Sequence, residues 1–219
     1  SIHGRAPAIA TGVKLANPNL SVWVVTGDGD ALAIGGNHFI HLLRRNVNLN
    51  YLLFNNEIYG LTKGQFSPTS LVGQKTKSSP YGNIQPPFSP GELAIGSNAR
   101  FVARIAGNVP KAMTRTFVEA EQFKGTSFIE ILQNCVIFND GCFDQYVSKE
   151  NRQEAQLILE HGKHMIFGKE GNKGIRLNGL KLEVVTLCEN GITEDDVLIH
   201  DAHEPDNTLH LLLVKMKMP

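Results

Sequence analysis

The stretch that most restricts the fold is SVWVVTGDGDALAIGGNHFIHLLRRNVNLNYLLFNN, residues 21–56. Ser21–Thr26 is a short apolar run rich in β-branched residues, which predicts a buried strand. Residues 30–45 carry Leu32, Ile34, Phe39, Ile40, Leu42 and Leu43 at helical spacing. Asp28 and Asp30 stand at the start of this segment, Arg44 and Arg45 at its end. Both signs complement a helix dipole, worth about 0.3–1 kcal/mol each. Leu49–Phe54 predicts the next strand. Strand, helix and strand in succession make a βαβ unit, which requires parallel strands joined by a right-handed crossover.

The rest of the chain extends that pattern. Residues 5–16 read as a helix closed by Asn17-Pro18. Residues 60–90 are rich in Gly, Pro, Ser and Thr and predict a long loop, a kind that is usually functional or disordered. A helix over 91–98, a strand over 101–105, a helix over 111–123 and a strand over 126–132 follow. The expected fold is α/β: an open, mainly parallel sheet with helices on both faces. The expected domains are residues 1–150, the α/β domain, and residues 151–219, a truncated C-terminal extension. Within the extension, 150–160 reads as a helix, 161–219 as less regular, and Leu209–Val214 as strand-like.

Composition narrows the functional classes. Lys+Arg and Asp+Glu both number 21, so the chain lacks the basic excess of a nucleic-acid binder. No apolar run approaches the roughly 18 residues of a transmembrane helix, and no signal-peptide pattern opens the sequence. Cys135, Cys142 and Cys188 are odd in number and dispersed, which suits a reducing, cytoplasmic setting.

In an open α/β sheet, ligands bind at the carboxyl ends of the strands. Asp28 follows the first predicted strand and Asn55-Asn56 the second, so one edge collects Asp28 and Asn56. Both offer oxygen, the donor Mg²⁺ prefers beside substrate phosphates. Gly27 and Gly29 allow close backbone approach, and the N-terminus of the following helix points its free N–H groups at the same place. These features predict a metal-bridged diphosphate cradle. Other phosphate motifs fail: G-x-G-x-x-G would need glycine at Leu32, and Gly162-Lys163 is followed by His164 where a P-loop needs Ser or Thr.

G-D-G followed by N-N, with Asp28 and Asn56 just under thirty residues apart, resembles the thiamine-diphosphate-binding motif. The longer strings HGRAPAIATG, TGDGDALAIGGNHFIHLLRRNVN, LFNNEIYGLTKGQFSPTS and QNCVIFNDG are similar to the β subunit of 2-oxoacid:ferredoxin oxidoreductases, especially the 2-oxoglutarate type. FGKEGNKGIRLNG and ENGITEDD extend the resemblance into the tail. The resemblance implies that Asp28 and Asn56 ligate Mg²⁺ by side chain and Ile58 by its carbonyl. It implies that Gly27, Gly29 and Asp30 line the diphosphate, and that Tyr59, Gly60, Leu61 and Thr62 close over it. His3 is implied in catalysis at the cofactor pocket, and Cys135 as a ligand of a [4Fe-4S] cluster in the intact parent. The implied reaction is oxidative decarboxylation of 2-oxoglutarate, with coenzyme A taking the acyl group and electrons passing to ferredoxin. The implied partners are therefore ferredoxin and an α subunit, without which the chain is expected to be inactive. Alternatives are the same chemistry on pyruvate or another 2-oxoacid, or a non-catalytic assembly module without the cluster.

The family's upstream C-x-x-C has no counterpart before His3, and a four-iron cluster takes about four thiolates. The chain is therefore expected to be a fragment, cut at Ser1 and at Met218-Pro219. Four histidines have blander readings. His38 and His41 fall on a predicted helix without a third ligand, and His200 and His203 read as loop residues. Cys142 and Cys188 read as small buried hydrophobes rather than ligands. Lys63 lies near the cradle, whereas Lys75 and Lys77 read as solvated loop residues.

Overall fold

A computed structural model describes residues 3–216. Helix α1 (Ala6–Ala16) leads to strand β1 (Trp23–Gly27), and two helices, α2 (Asp28–Leu32) and α3 (Gly36–Arg45), lead to β2 (Leu49–Asn55). After the long loop come α4 (Pro90–Gly96), β3 (Phe101–Ala106), α5 (Pro110–Gln122) and β4 (Thr126–Leu132). The four strands form an all-parallel sheet in the order β1-β2-β4-β3. That order follows from the sequence of each strand. In β2 and in β4, six of seven residues are buried, as a strand flanked on both sides and covered on both faces requires. β1 and β3 carry exposed or half-buried positions and take the edges.

Helices cover both faces, as expected. Phe39, Leu42 and Leu43 of α3, with Ala10 of α1 and Ala94 of α4, pack on Tyr51, Leu53 and Phe128. The Phe39 ring meets Phe128 edge-on at 5.2 Å and Tyr51 at 5.4 Å, a favoured aromatic geometry. On the other face, Ala120 and Phe117 of α5 cover Leu52, Ile129 and Ile131.

The single helix predicted over 30–45 is two helices. The break has a steric origin: a Cβ at Gly35 would lie 2.4 Å from the Asp30 carbonyl oxygen, and one at Gly4 would lie 2.6 Å from the Gly35 nitrogen. Glycine at both positions lets the His3-Gly4 segment lie against the α2–α3 junction.

Residues up to Cys142 form one unit and those from Phe143 another. The second unit contains one-turn helices α6 (Asp144–Val147) and α7 (Arg152–Ala155), so the helix expected over 150–160 is confined to one turn. Residues 161 onward are more regular than expected. β5 (Ile166–Phe167), β6 (Lys173–Asn178) and β7 (Lys181–Thr186) form an antiparallel sheet around Met165, Phe167, Ile175, Val185 and Val197. The β6–β7 hairpin turns at Gly179, whose φ of +61° is a left-handed value that glycine favours. Leu209–Val214, read as strand-like, lies in helix α8 (Thr208–Lys215). A short unbroken apolar run carries no period with which to tell strand from helix. The expected cut points at Ser1 and Met218-Pro219 lie outside the described residues.

Candidate functional site

Gly27 pairs opposite Phe54, so Asp28 and Asn55-Asn56 leave β1 and β2 at the same carboxyl edge of the sheet. The extended backbone at Gly27 (φ −92°, ψ 163°) turns directly into α2, with Asp28 as its first residue. Asp28 is 2% exposed. Its Oδ2 accepts hydrogen bonds from the Ser67 hydroxyl at 2.5 Å and the Thr69 hydroxyl at 2.6 Å. Burial raises its pKa above the ordinary carboxylate value, while the two hydroxyls and nearby backbone N–H groups pull it back. No cation contributes to that balance.

Asn55, rather than Asn56, is the buried member of the pair. Its Oδ1 accepts from the Glu57 N–H at 3.2 Å and lies 3.0 Å from the Thr69 hydroxyl, whose one proton it shares with the nearer Asp28 Oδ2. Its Nδ2 donates to Glu130 Oε1 at 2.8 Å, and Glu130 Oε2 accepts from Arg104 Nε at 2.7 Å. Asn56 Oδ1 accepts the Ile58 N–H at 3.3 Å, and the Asn56 carbonyl accepts from Asn139 Nδ2 at 2.9 Å. The residues after β2 therefore loop back around the asparagine pair, which keeps the Ile58 segment beside the end of β1.

Tyr59 closes on α2. Its hydroxyl donates to the Gly29 carbonyl at 2.9 Å, and a Cβ at Gly29 would sit 2.2 Å from its ring. Burial, then Asp28 and Asp30, raise the Tyr59 pKa. A Cβ at Gly27, by contrast, meets nothing within 4 Å, so that side of the backbone is open to a ligand. Both Asp30 oxygens are engaged. Oδ1 takes the Gly4 N–H at 2.6 Å and His3 Nδ1 at 2.7 Å, and Oδ2 takes the Thr26 hydroxyl at 2.6 Å. Asp30 thereby brings His3 to this edge. Gly60 lies beside Cys135, whose sulfur would be 3.7 Å from a Cβ there. Leu61 is wholly exposed, and Thr62 bonds to Gln65. A cleft of about 330 Å³ adjoins these groups, lined by Leu32, Ala33, Tyr59, Phe66 and Phe88 among others.

The long loop is ordered by its own polar groups. Ser70 Oγ donates to the Glu57 carbonyl, and Asn83 Nδ2 bonds the Ser70 and Gln85 carbonyls. Ser67, Thr69, Glu130 and Arg104 had no place in the sequence-based site, and Asn55 entered it only as the neighbour of Asn56. The available signal was a charged residue inside each of two apolar strands, Glu130 in TSFIEIL and Arg104 in FVARIA.

The donors at this edge, the Asp28 carboxylate, the Asn56 amide and the Ile58 carbonyl, are oxygens and suit a hard cation. No three His, Cys, Asp or Glu side chains gather as a metal set among the described residues. A cation here would rely on the amide, the carbonyl and its ligand's phosphate oxygens beside Asp28. The residues present do not fit a four-iron cluster, since the chain has three cysteines and Cys188 lies in the other unit.

Residues 1–131 match the thiamine pyrophosphate enzyme C-terminal TPP binding domain. Over 206 residues the chain is 52% identical to the 2-oxoglutarate oxidoreductase subunit KorB of Mycobacterium tuberculosis, covering 94% of this chain and 54% of that protein. It is 51% identical over 133 residues to the 2-oxoglutarate synthase subunit KorB of Archaeoglobus fulgidus, covering 61% and 50% of the two. A solved 2-oxoglutarate:ferredoxin oxidoreductase from Magnetococcus marinus, with 2-oxoglutarate, coenzyme A and succinyl-CoA bound, superposes with a TM-score of 0.62 at 41% identity. That match covers 64% of this chain and 48% of the other. The chain thus spans about half the length of the curated relatives it matches. With a TPP-binding domain matched over residues 1–131, which take in β1, β2, β3 and all but the last residue of β4, and an oxygen-lined edge where β1 and β2 end, the chain belongs to the thiamine pyrophosphate enzyme family.

Proposed function

We propose that this chain is the cofactor-binding part of the β subunit of a 2-oxoglutarate:ferredoxin oxidoreductase. The observation that carries the reading is the buried Asp28 carboxylate, without a cationic partner, at the strand edge shared with Asn56. A buried carboxylate is costly unless something compensates its charge. Mg²⁺ held by Asp28, Asn56 and the Ile58 carbonyl, bridging to a diphosphate over Gly27, would do so. The bound thiamine diphosphate would supply the carbanion chemistry of 2-oxoacid decarboxylation.

The chain's own residues bind, orient and exclude water. Asp30 pairs with His3 Nδ1, which supports a role for the His3 imidazole in exchanging a proton with a bound acid in this reading. Tyr59 and Phe66 give the cleft an apolar wall for the organic part of a ligand. The Gly60–Thr62 turn, with Leu61 projecting from it, covers the diphosphate side. Cys135 is a cluster ligand in this reading when the parent protein supplies the remaining thiolates. The α subunit, coenzyme A and ferredoxin complete the reaction, in the cytoplasm, a setting that suits three free cysteines.

Calorimetric titration of thiamine diphosphate with and without Mg²⁺ tests the reading, with Asp28→Ala as control. Saturable, Mg²⁺-dependent binding that the variant loses is expected, and binding indifferent to Asp28 overturns the reading. With the partner subunit restored, viologen reduction should require coenzyme A and 2-oxoglutarate. Turnover on pyruvate instead would reassign the substrate. Cofactor and partner binding without any turnover would make the chain an assembly module.

A further inference from the structure

Asp28, the residue that follows β1, is held by a line of polar side chains drawn from the other three strands and the long loop. Arg104 of β3 bonds Glu130 of β4, Glu130 bonds Asn55 of β2, Asn55 meets Thr69 of the long loop, and Thr69 bonds Asp28. Glu130 is 2% exposed and sits in β4, a central strand with six of seven residues buried. A charge in that position costs stability unless it is paired, and it is paired to Arg104.

The line has a direction. Ionised Glu130 can accept but not donate, so Asn55 must present its NH₂ to it. The Asn55 carbonyl oxygen then faces the loop, where the Glu57 N–H independently requires an acceptor. Two partners on separate segments thus fix one orientation of the amide. The single Thr69 hydroxyl proton lies between two acceptors, Asp28 Oδ2 at 2.6 Å and that fixed oxygen at 3.0 Å, in a three-centre hydrogen bond whose shorter arm goes to the carboxylate. A loop without regular structure therefore delivers a hydroxyl to one carboxylate oxygen from a position set by the rigid sheet. Groups that orient a cation's ligands commonly govern affinity without touching the cation.

We propose that Thr69, seated by the Arg104–Glu130–Asn55 line, is the positioning residue for the Asp28 carboxylate and so sets the divalent-cation affinity of the cofactor site. The proposal rests on reading Asp28 as a cation ligand. Ser67 donates to the same oxygen, but its other hydroxyl contacts are Thr69 and Ser70 of its own loop, so its hold on Asp28 is referred to the loop and not directly to the sheet.

The test titrates Mn²⁺, in the presence of thiamine diphosphate, into the full chain, read by calorimetry and by the paramagnetic resonance spectrum of bound Mn²⁺. Thr69→Val keeps the shape and removes the hydroxyl, and should weaken Mn²⁺ binding about 10- to 100-fold and alter the spectrum. Thr69→Ser should restore affinity to within about threefold, because the hydroxyl returns. A merely structural threonine would lower the unfolding midpoint and leave the affinity of the folded protein unchanged. Glu130→Gln lies far from the cation and should also weaken binding, by releasing the Asn55 amide. Wild-type affinity in Thr69→Val, with binding lost in Asp28→Ala, overturns this proposal and leaves the cofactor reading standing. Equal weakening in Thr69→Val and Thr69→Ser also overturns it. Weakening in Thr69→Val with wild-type affinity in Glu130→Gln overturns the seating through the sheet. Binding unaffected by Asp28→Ala overturns the cofactor reading and this proposal together.

Discussion

Replacing Arg104 by Met is expected to destabilise the N-terminal unit by about 3 kcal/mol, the lower end of the range for stripping a buried ion of its partner. The choice within that range follows from exposure. The Glu130 side chain is 3% accessible, so its charge has nowhere to go, but the Arg104 side chain is 34% accessible, so water can partly replace the guanidinium. Replacing both residues, Arg104→Met with Glu130→Leu, removes the stranded charge. The double variant should recover most of the loss, short by about 1–2 kcal/mol for Asn55 Nδ2, which is left without its acceptor. The assay is urea unfolding followed by tryptophan fluorescence. Trp23 is the chain's single tryptophan and lies on β1, packed edge-on to Phe117 at 5.8 Å, so the signal reports this unit alone. A loss under about 1 kcal/mol in Arg104→Met would refute the reasoning, since Glu130 would then not be a charge that depends on its partner. A double variant as unstable as the single one would refute it too.

Three further outcomes follow from other parts of the structure. Gly29→Ala drives a Cβ into the Tyr59 ring and should cost about 1–3 kcal/mol by the same fluorescence assay; adding Tyr59→Ala should recover part of that loss, and additive losses would show that the two do not meet. Phe39→Ala, at a position with no exposed surface and with ring packing against both Tyr51 and Phe128, should cost about 3–5 kcal/mol in urea unfolding. In the C-terminal unit, burial first and His210 second hold the His200 pKa below its ordinary 6.5, and its Nδ1 is buried without a hydrogen-bond partner. The stability that neutral His200 contributes is present above 6.5 and lost as pH falls from there through the folded value, because the unfolded chain takes up the proton first. Hydrogen exchange at the Ile175 amide should therefore quicken as pH drops through that window, after correction for intrinsic exchange, and His200→Phe should flatten the dependence.

The sequence by itself determined the parallel sheet and the edge at which its ligand groups collect. Two-sided apolar strands such as LNYLLFN can only be central, and an Asp and an Asn that directly follow neighbouring parallel strands must emerge together. The two-unit division of the chain and its hairpin were legible only in part: Asn178-Gly179 is a turn signal, but Leu209–Val214 has no period and became a helix because α8 packs its leucines on the core of its own unit. What the tertiary structure alone decided is how Asp28 is held. Ser67 and Thr69 lie about forty residues from Asp28, Glu130 lies 75 from Asn55, and Arg104 lies 26 from Glu130. Periodicity reports which face of an element is buried, since burial of apolar surface repeats with the backbone. It carries no information on which buried polar groups pair, because a hydrogen bond depends on two side chains meeting within about 3 Å, and only the folded sheet order brings these together.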